Sequence, residues 1–521
     1  MAVNANPTDS TSDGEHVIVD TTGGRIRGEW RSGVARFAGV PFAAAPVGDL
    51  RFRPPASREP WDDVLDATAF GAVSPQNPSM MDALFGGEAE RWDEDCLHLN
   101  VWTPSPQPVG GDGLPVMVWI HGGGFEMGSG SSPLYDGTGF ARDGVVFVSL
   151  NYRLGSLGFL DLSSIDPAEA GSGNVGLLDQ VAGLEWVRDN IAAFGGDPDR
   201  VTIFGESAGS MSVSLLLSME RARGLFHRAI AQSGGAMAKP VGQAAGDTAE
   251  FLAAAGVTTV EELRSMPVEE LLKAHASVGA ARIANPEAVL ARTKDPVSFL
   301  AFTPVADGVV VPTDPVAAIA AGSAAGVDVI AGSNLEEWKL FAMMSPGATD
   351  ETSLRQRAGL LADDVDSLLA AYREEHPDAT PAELETALLT DIVFRIPTCD
   401  VLDAQAPHGE VRQYQFDWKS PAFGGMIGAA HAVEIPFVFE MVSDHRLHVL
   451  VGPEAPADLA SAMHRAWIDF AVTGAPSLAG ADWPAVTADS DTRPVALFDD
   501  QISVADDPQG STRRWWATRR G

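Results

Sequence analysis

Residues 201–209 read VTIFGESAG, and this short stretch decides the fold prediction. The apolar run 201–204 predicts a buried strand, and a helical pattern begins directly after Ser207. Gly205 and Gly209 lie two positions before and after the serine, where only small residues avoid a steric clash in a tight turn. The turn is therefore expected to present the Ser207 hydroxyl at the carboxyl edge of a sheet, beside the N-terminus of a helix.

Further buried strands are predicted on both sides of this turn. They correspond to the apolar runs 114–120, 145–150, 228–232, 327–331 and 411–416. Because helical patterns separate these runs, we expect a large, mostly parallel central sheet flanked by crossover helices. The fold class is therefore α/β, and a strand, a serine turn and a helix in succession are typical of the α/β-hydrolase fold.

One flanking helix can be placed from the spacing of its apolar residues. Between Leu177 and Ile191 these residues recur at intervals of four, three, three and four. This spacing predicts an amphipathic helix with Gln180, Glu185 and Arg188 on its polar face.

The domain organisation follows from composition. Residues 1–15 are polar and predict a disordered lead-in, and residues 16–521 are expected to form a single catalytic domain. The segments at about 240–325 and 345–405 are rich in Ala, Leu and Glu with helical periodicity. They are predicted to be inserted helical lobes over the active site.

The charge balance restricts the partners. The chain carries 71 acidic and 35 basic residues, which gives a formal net charge of −36. A field of this sign repels nucleic acid and anionic membrane surfaces, so neither is an expected partner. It also disfavours strongly anionic substrates, unless the site carries its own cations.

The compartment is predicted from cysteines and hydropathy. Cys96 and Cys399 are the only cysteines, too few for a disulfide framework. The polar N-terminus lacks the apolar core of a signal peptide, and no run approaches the roughly 18 apolar residues of a membrane span. We expect a cytoplasmic monomer or weak homodimer.

Since C-x-x-C and H-E-x-x-H motifs are absent from the sequence, no metal or organic cofactor is expected.

A glycine-rich loop follows the predicted strand 114–120. Residues 121–125 read HGGGF, well upstream of the serine turn. A serine that attacks a carbonyl creates an oxyanion, and this loop matches the type that supplies backbone N–H donors to it. We assign Gly123, Gly124 and Ala208 as donors. A phosphate-binding loop is disfavoured because no Gly-Lys-Ser/Thr follows, and a plain turn stays as the alternative.

An acid and a histidine are needed to complete such a site, in the order serine, acid, histidine. Spacing and composition leave the histidine open among several candidates after Gly332. These are His376, His408, His431, His445, His448 and His464.

Ordered motifs along most of the chain resemble the type-B carboxylesterase family, which includes bacterial para-nitrobenzyl esterases and cholinesterases. Besides the glycine-rich loop and the serine turn, the resemblance rests on FAGVPF at 37–42, LRF at 50–52, EDCLHLNV at 94–101, NYR at 151–153, GNVGLLDQ at 173–180, LFHRAI at 225–230, QSG at 232–234, WIDF at 467–470 and WP at 483–484.

The resemblance implies the remaining site residues. The family's catalytic histidine precedes a Glu-Ile-Pro-Phe run, which selects His431 before EIPF at 434–437. The acid of the triad falls on Glu337, with Glu336 as the alternative because Trp338 replaces the family's glycine.

Two supporting residues are implied in the same way. Ser233 matches a serine that supports the acid and the histidine, and Glu206 matches a buried glutamate near the site.

The implied activity is that of a serine carboxylesterase that forms an acyl-enzyme intermediate. Apolar residues near the catalytic segments predict a pliable pocket for small to medium alkyl or aryl esters, and core packing is the alternative for each. The pocket candidates are Phe125, Phe341, Met344, Phe423 and Met426, with Met80, Met81 and Met343 nearby. Hydrolysis of amides, carbamates or lactones, and a non-catalytic binding role, are the other hypotheses.

Two departures from the family limit these expectations. Ser74 stands where secreted relatives have the cysteine that bridges to the Glu-Asp-Cys motif, so Cys96 is expected to be a free thiol. No tryptophan lies around residues 85–87, where cholinesterases carry the choline-binding aromatic ring, and Trp92 is displaced by several residues. We therefore do not expect cholinesterase activity.

The C-terminus combines basic and aromatic residues. In a chain this acidic, Arg513-Arg514-Trp515-Trp516 and Arg519-Arg520 predict a packed terminal helix with an intramolecular role rather than a nucleic-acid contact.

Overall fold

The computed structural model describes residues 13–78, 90–106, 113–285, 289–290, 300–343, 347–488 and 492–519. The strands in this part of the chain are β1 (His16–Thr21), β2 (Gly24–Arg31), β3 (Val34–Pro41), β4 (Leu65–Asp66), β5 (His98–Thr103), β6 (Leu114–Ile120), β7 (Val146–Leu150), β8 (Gly196–Glu206), β9 (Arg228–Gln232), β10 (Lys239–Pro240), β11 (Val305–Ala306), β12 (Asp328–Asn334), β13 (Val411–Phe416), β14 (Pro494–Phe498) and β15 (Ser503–Asp506).

The main sheet has the order β1-β2-β3-β5-β7-β6-β8-β9-β12-β13-β14-β15, with β4 paired to β2. From β7 to β14 every neighbouring pair is parallel. The pairs from β1 to β7 along this order and the β14–β15 pair are antiparallel. Strands β10 and β11 form a separate parallel pair. The predicted α/β class with a mostly parallel sheet is confirmed.

The longer helices are α1 (Val175–Asn190), α2 (Ala208–Ser218), α3 (Val241–Ala255), α4 (Val268–Ala284), α5 (Glu351–Leu361), α6 (Val365–Glu375), α7 (Pro381–Thr390), α8 (Ile396–Gln405), α9 (Ala457–Thr473) and α10 (Gly510–Ala517). Shorter helices span Thr138–Arg142, Gly155–Phe159, Val260–Ser265, Pro315–Ala320, Lys339–Ala342, Ile435–Val438 and His448–Val451.

Strand β6 shows why the central strands are apolar throughout. Val118 and Ile120 pack into the hydrophobic core on one face of the sheet. Met117 and Trp119, at the alternate positions, pack into the core on the other face. Because helices cover both faces, every side chain of this strand must be apolar, and the predicted run 114–120 coincides with the observed strand.

Helix α1 occupies the predicted position, but the prediction that Gln180 lies on its polar face was wrong. Gln180 is fully buried, and its Nε2 donates a hydrogen bond of 3.0 Å to Ser212 Oγ on α2. Glu185 is half-buried, and Arg188 is exposed. The helix is covered on more sides than a surface helix, so a polar residue that pairs with a neighbouring helix was mistaken for a solvated one.

The first segment predicted as a helical lobe, at about 240–325, contains α3 and α4. The second, at about 345–405, contains α5 to α8. A third hydrophobic cluster lies in the second segment and includes Trp515 and Trp516 of α10. Trp516 Nε1 donates to Tyr372 Oη at 3.0 Å. Residues 513–516 of the C-terminal motif therefore lie in a packed helix, as predicted, whereas Arg519 follows the helix and Arg520 lies outside the described residues. Within the described ranges, none of the helices has the length and apolar character needed to cross a membrane.

A buried ion pair joins α1 to the loop after β7. Arg153 Nε and Nη2 each donate to the Asp179 carboxylate at 2.7 Å, and both side chains are almost fully buried. Two parallel hydrogen bonds of this kind fix the geometry of both partners. The pair holds α1 against the loop that follows β7.

We predict that Arg153→Met lowers the free energy of unfolding by about 3–5 kcal/mol, because it leaves the Asp179 carboxylate buried without its partner. Denaturant titration followed by circular dichroism measures the loss. Arg27→Met is the matched control, since Arg27 and Asp66 form an exposed pair at 2.7 Å that is worth under about 1 kcal/mol. Equal losses in both variants would contradict the prediction.

Candidate active site

Ser207 lies at the turn between β8 and α2, in a strained backbone conformation. Its φ of 58° and ψ of −124° are unfavourable for a residue with a side chain. The turn is held because the Ser207 N–H donates to the Gln232 carbonyl oxygen at 2.9 Å. A Cβ atom at Gly205 or Gly209 would collide with the Ile120 carbonyl oxygen at the end of β6. The glycines are therefore required by the close approach of the turn to the neighbouring strand.

His431 and Glu337 come from distant parts of the sequence and are in direct contact. Glu337 follows β12, and its Oε2 lies 2.6 Å from His431 Nδ1. The other carboxylate oxygen accepts the Asn334 N–H at 2.6 Å. The His431 N–H donates to the Glu337 carbonyl oxygen at 3.2 Å. Both side chains are buried, so the carboxylate orients the imidazole in a water-poor environment.

The neighbouring Glu336 points elsewhere. Its carboxylate pairs with Lys339 at 2.9 Å and with Lys419 at 3.5 Å. It also accepts the Ala429 N–H at 3.0 Å. These contacts favour Glu337 over Glu336 as the partner of His431.

Two more buried glutamates surround the histidine. Glu206 Oε1 lies 3.2 Å from His431 Nε2. Glu434 accepts hydrogen bonds from Tyr414 Oη at 3.0 Å and from Gln232 Nε2 at 3.2 Å. Trp467 Nε1 in turn donates to Gln232 Oε1 at 3.0 Å. This network ties the segment after His431 to the core of the sheet.

The pKa values in this cluster depend on one another. Burial alone would lower the pKa of His431, but the facing carboxylates of Glu206 and Glu337 raise it above its ordinary value. Burial raises the pKa of Glu206, which the His431 charge opposes and the Glu337 charge reinforces. The pKa of Glu434 is also raised, by burial first and then by Glu337. The imidazolium is thus stabilised at the site.

The glycine-rich loop lies directly beside the serine. A Cβ atom at Gly122 would sit 3.1 Å from Ser207 Cβ. Gly123 has a φ of 108° and Gly124 a φ of 63°, values that favour glycine. Within the described ranges, the N–H groups of Gly123 and Gly124 donate to no acceptor. The N–H of Ala208, in the first turn of α2, has no partner within the helix.

The other predicted site residues differ in their placement. Phe341 contacts the imidazole, with 5.3 Å between the centres of the Phe341 and His431 rings. Phe125 is buried and packs on Phe159 at 5.0 Å. Ser233 has a φ of 65°, and its buried hydroxyl has no partner among the described residues.

Several pocket candidates stay predictions. The side chains of Phe423 and Met426 are 45% and 61% exposed, and Met343 is 46% exposed. Met344, Met80 and Met81 lie outside the described residues.

Sequence reasoning missed Phe394. Its ring lies 4.6 Å from the His431 ring, between centres. It belongs to the segment predicted as the second helical lobe. In such a segment the spacing of apolar residues does not distinguish those that pack in a core from those that contact an active site. No motif in the sequence marks this residue.

The mostly parallel sheet, the serine turn after β8 and the order of serine, acid and histidine define an α/β-hydrolase. Residues 15–515 match the model of the carboxylesterase family, and the chain belongs to that family.

Curated relatives agree with this membership. The chain is 40% identical over 507 residues to the para-nitrobenzyl esterase of Bacillus subtilis, covering 96% of this chain and 98% of the relative. It is 36% identical to the phenmedipham hydrolase of Pseudarthrobacter oxydans, covering 94% and 97% of the two chains.

Solved structures agree as well. A PNB esterase structure is 38% identical, with a TM-score of 0.83 and coverage of 96% of this chain and 99% of that one. A carboxylesterase of Geobacillus stearothermophilus gives the same identity, TM-score and coverage. The protein is a carboxylic ester hydrolase.

We predict that Glu206→Gln shifts the acid limb of the kcat/KM profile to lower pH. The substitution removes a negative charge that stabilises the imidazolium, so the pKa of His431 falls and the neutral base persists at lower pH. Initial rates on p-nitrophenyl acetate between pH 5 and 10 measure the shift. Glu185→Gln, on a half-buried residue of α1, is the control. An unchanged or upward-shifted limb would contradict the effect of the Glu206 charge.

Proposed function

We propose that this enzyme is a serine carboxylesterase for small to medium alkyl or aryl esters, with Ser207, His431 and Glu337 as its catalytic triad. The observation that carries the proposal is the 2.6 Å contact between Glu337 Oε2 and His431 Nδ1. This contact occupies Nδ1, so Nε2, which also lies 3.2 Å from Glu206 Oε1, is the nitrogen that we assign to the serine.

The reaction proceeds in two halves. In the first, His431 Nε2 takes the proton of the Ser207 hydroxyl while Oγ bonds to the ester carbonyl carbon. The tetrahedral intermediate collapses, its bond to the alkoxy oxygen breaks, and the imidazolium gives its proton to the leaving alcohol. In the second half a water attacks the acyl-enzyme, with His431 as base again, and the carboxylic acid is released.

Backbone donors stabilise the oxyanion in both halves. The N–H groups of Gly123, Gly124 and Ala208 are assigned this role. Two observations support this assignment. The loop lies beside Ser207, and the N–H groups of Gly123 and Gly124 have no other acceptor among the described residues. A donor of this kind is worth about 3 kcal/mol of transition-state stabilisation.

The substrate range is proposed from an apolar ring at the histidine and from the relatives. Phe341, a half-buried residue, presents aromatic surface next to His431. An apolar wall of this kind favours alkyl and aryl groups over charged ones. The name of the para-nitrobenzyl esterase relative points to aryl-substituted esters as well.

We also propose that the enzyme works in the cytoplasm, as a monomer or weak homodimer. Cys96 and Cys399 are both free and buried. Burial raises the pKa of the Cys96 thiol well above its ordinary value, which keeps this thiol unreactive. Unpaired cysteines suit a reducing compartment.

We predict that Ser207→Ala lowers kcat on p-nitrophenyl acetate, butyrate and octanoate by about 10⁴-fold or more, since the nucleophile is lost. Ser218→Ala is the matched control, because Ser218 ends the same helix and its hydroxyl donates to the Leu215 carbonyl oxygen. Intact-mass measurement after treatment with a fluorophosphonate should show one adduct on wild type and none on Ser207→Ala. Full activity in Ser207→Ala would refute the proposed nucleophile.

A further inference from the structure

Phe394 reaches the proposed catalytic histidine from an irregular turn of the second helical segment. The turn spans Asp391–Arg395, a single π-helical turn between α7 and α8. Phe394 is only 2% exposed, and its ring is tilted by 35° to the His431 ring at 4.6 Å between centres. A π-turn inserts one residue into a helix, and such turns are frequent at functional sites.

A second ring completes the apolar cover of the imidazole. Phe341 lies 5.3 Å from the His431 ring and 6.0 Å from the Phe394 ring, to which it is nearly parallel at 16°. The hydrogen bond that His431 Nδ1 donates to Glu337 Oε2 fixes the Nδ1 atom, and a rotation of the ring about that contact would move Nε2. Packing of the two phenyl rings against the imidazole restricts this rotation, so the position of Nε2 depends on them.

The π-turn is itself held by polar contacts of buried groups. Arg395 donates to the Asp391 carboxylate through Nε at 2.6 Å and through Nη2 at 2.7 Å. Tyr372 Oη donates to the same carboxylate at 2.7 Å. Thr398 Oγ1 donates to the Phe394 carbonyl oxygen at 2.8 Å. Charged hydrogen bonds in a buried site are strong, and they fix the backbone that carries Phe394.

The C-terminal helix closes this network. Arg395 Nη2 donates to Thr512 Oγ1 on α10 at 2.6 Å. Trp516 of the same helix donates to Tyr372 Oη at 3.0 Å. Thr512 and Trp516 of this helix, which the triad does not use, thus contact the groups that hold the turn next to the histidine.

We propose that Phe394 is a positioning residue for His431, held in place by the C-terminal helix through Arg395 and Thr512; this role rests on the proposed function of His431 as general base. Phe394 acts through the imidazole and not on the ester itself. Loss of its ring should therefore affect kcat and the ionisation of the base more than KM for a small ester.

The expected direction of the pH effect follows from the groups that face His431. Glu206, Glu337 and Glu434 favour the imidazolium, while burial opposes it. Removal of the Phe394 ring admits water to the imidazole face, which reduces the effect of burial, the largest of these effects, more than it screens Glu337, whose carboxylate stays in direct contact with Nδ1. The pKa of His431 then rises, and the acid limb of kcat/KM moves to higher pH.

The test compares Phe394→Ala, Phe394→Leu and Thr512→Val with wild type on p-nitrophenyl acetate. We expect Phe394→Ala to lower kcat by about 10- to 100-fold with KM within threefold, and to move the acid limb upward. Phe394→Leu should keep most of the wild-type kcat, and the acid limb of its kcat/KM profile should lie at the wild-type pH. Thr512→Val keeps every apolar group. It should lower kcat by a smaller factor than Phe394→Ala does, and it should also move the acid limb of kcat/KM to higher pH.

Leu361→Ala is the control, because Leu361 packs against the same third hydrophobic cluster from α5 and lies outside the turn. It should leave kcat and the limb unchanged even if it lowers the melting temperature. The proposal is overturned if Phe394→Ala keeps the wild-type kcat and limb, or if it changes only KM and the preferred acyl length. If Phe394→Ala does not fold, an unchanged kcat in Thr512→Val overturns it.

Ser207→Ala measured in parallel separates the two possible failures. If Ser207→Ala keeps activity, the proposed function itself fails. If Ser207→Ala is inactive while Phe394→Ala behaves like wild type, only the positioning role fails.

Discussion

The close approach of the serine turn to the end of β6 is the constraint on which the rest of the structure depends. The backbone at Gly205 and Gly209 runs against the Ile120 carbonyl oxygen, which leaves no room for a Cβ atom at either glycine. Ser207 lies between these glycines with a positive φ of 58°, and the glycine-rich loop that follows β6 lies next to it. One backbone contact therefore brings together the proposed nucleophile and the proposed oxyanion donors, which lie about 80 residues apart in the sequence.

The second organising feature is a concentration of buried negative charge around one histidine. Glu206, Glu337 and Glu434 all act on His431, and burial raises the pKa values of Glu206 and Glu434. A positive charge on the imidazole compensates for part of this effect. The site is therefore arranged for the charge distribution that arises when the histidine has accepted a proton, which is the state a general base passes through. The surrounding phenyl rings exclude water and keep these interactions strong.

The quality of the sequence predictions differed with the kind of signal. Strand β6 and helix α1 were predicted closely, because burial on two faces and helical spacing leave a direct mark on the sequence. Gln180 was misplaced, since the pattern of polar residues does not distinguish a hydrogen bond to another helix from contact with solvent. Phe394 was missed because its functional contact joins the second predicted lobe to His431, which lies outside both predicted lobes. The pocket candidates Phe423 and Met426 stay predictions for a related reason, as proximity in sequence to a catalytic segment does not fix where a side chain points.

The sequence by itself determined the α/β class, the position of the serine turn and the glycine-rich loop, because these depend on local steric rules that a few residues must satisfy. It left the histidine and the acid open until a resemblance to a known family selected His431 and Glu337. Only the tertiary structure decided that Glu337 rather than Glu336 meets the imidazole, and that the C-terminal helix connects to it through a π-turn. The Glu337–His431 and Arg395–Thr512 contacts join residues 94 and 117 positions apart, and long-range packing of this kind leaves no periodic trace in a single sequence.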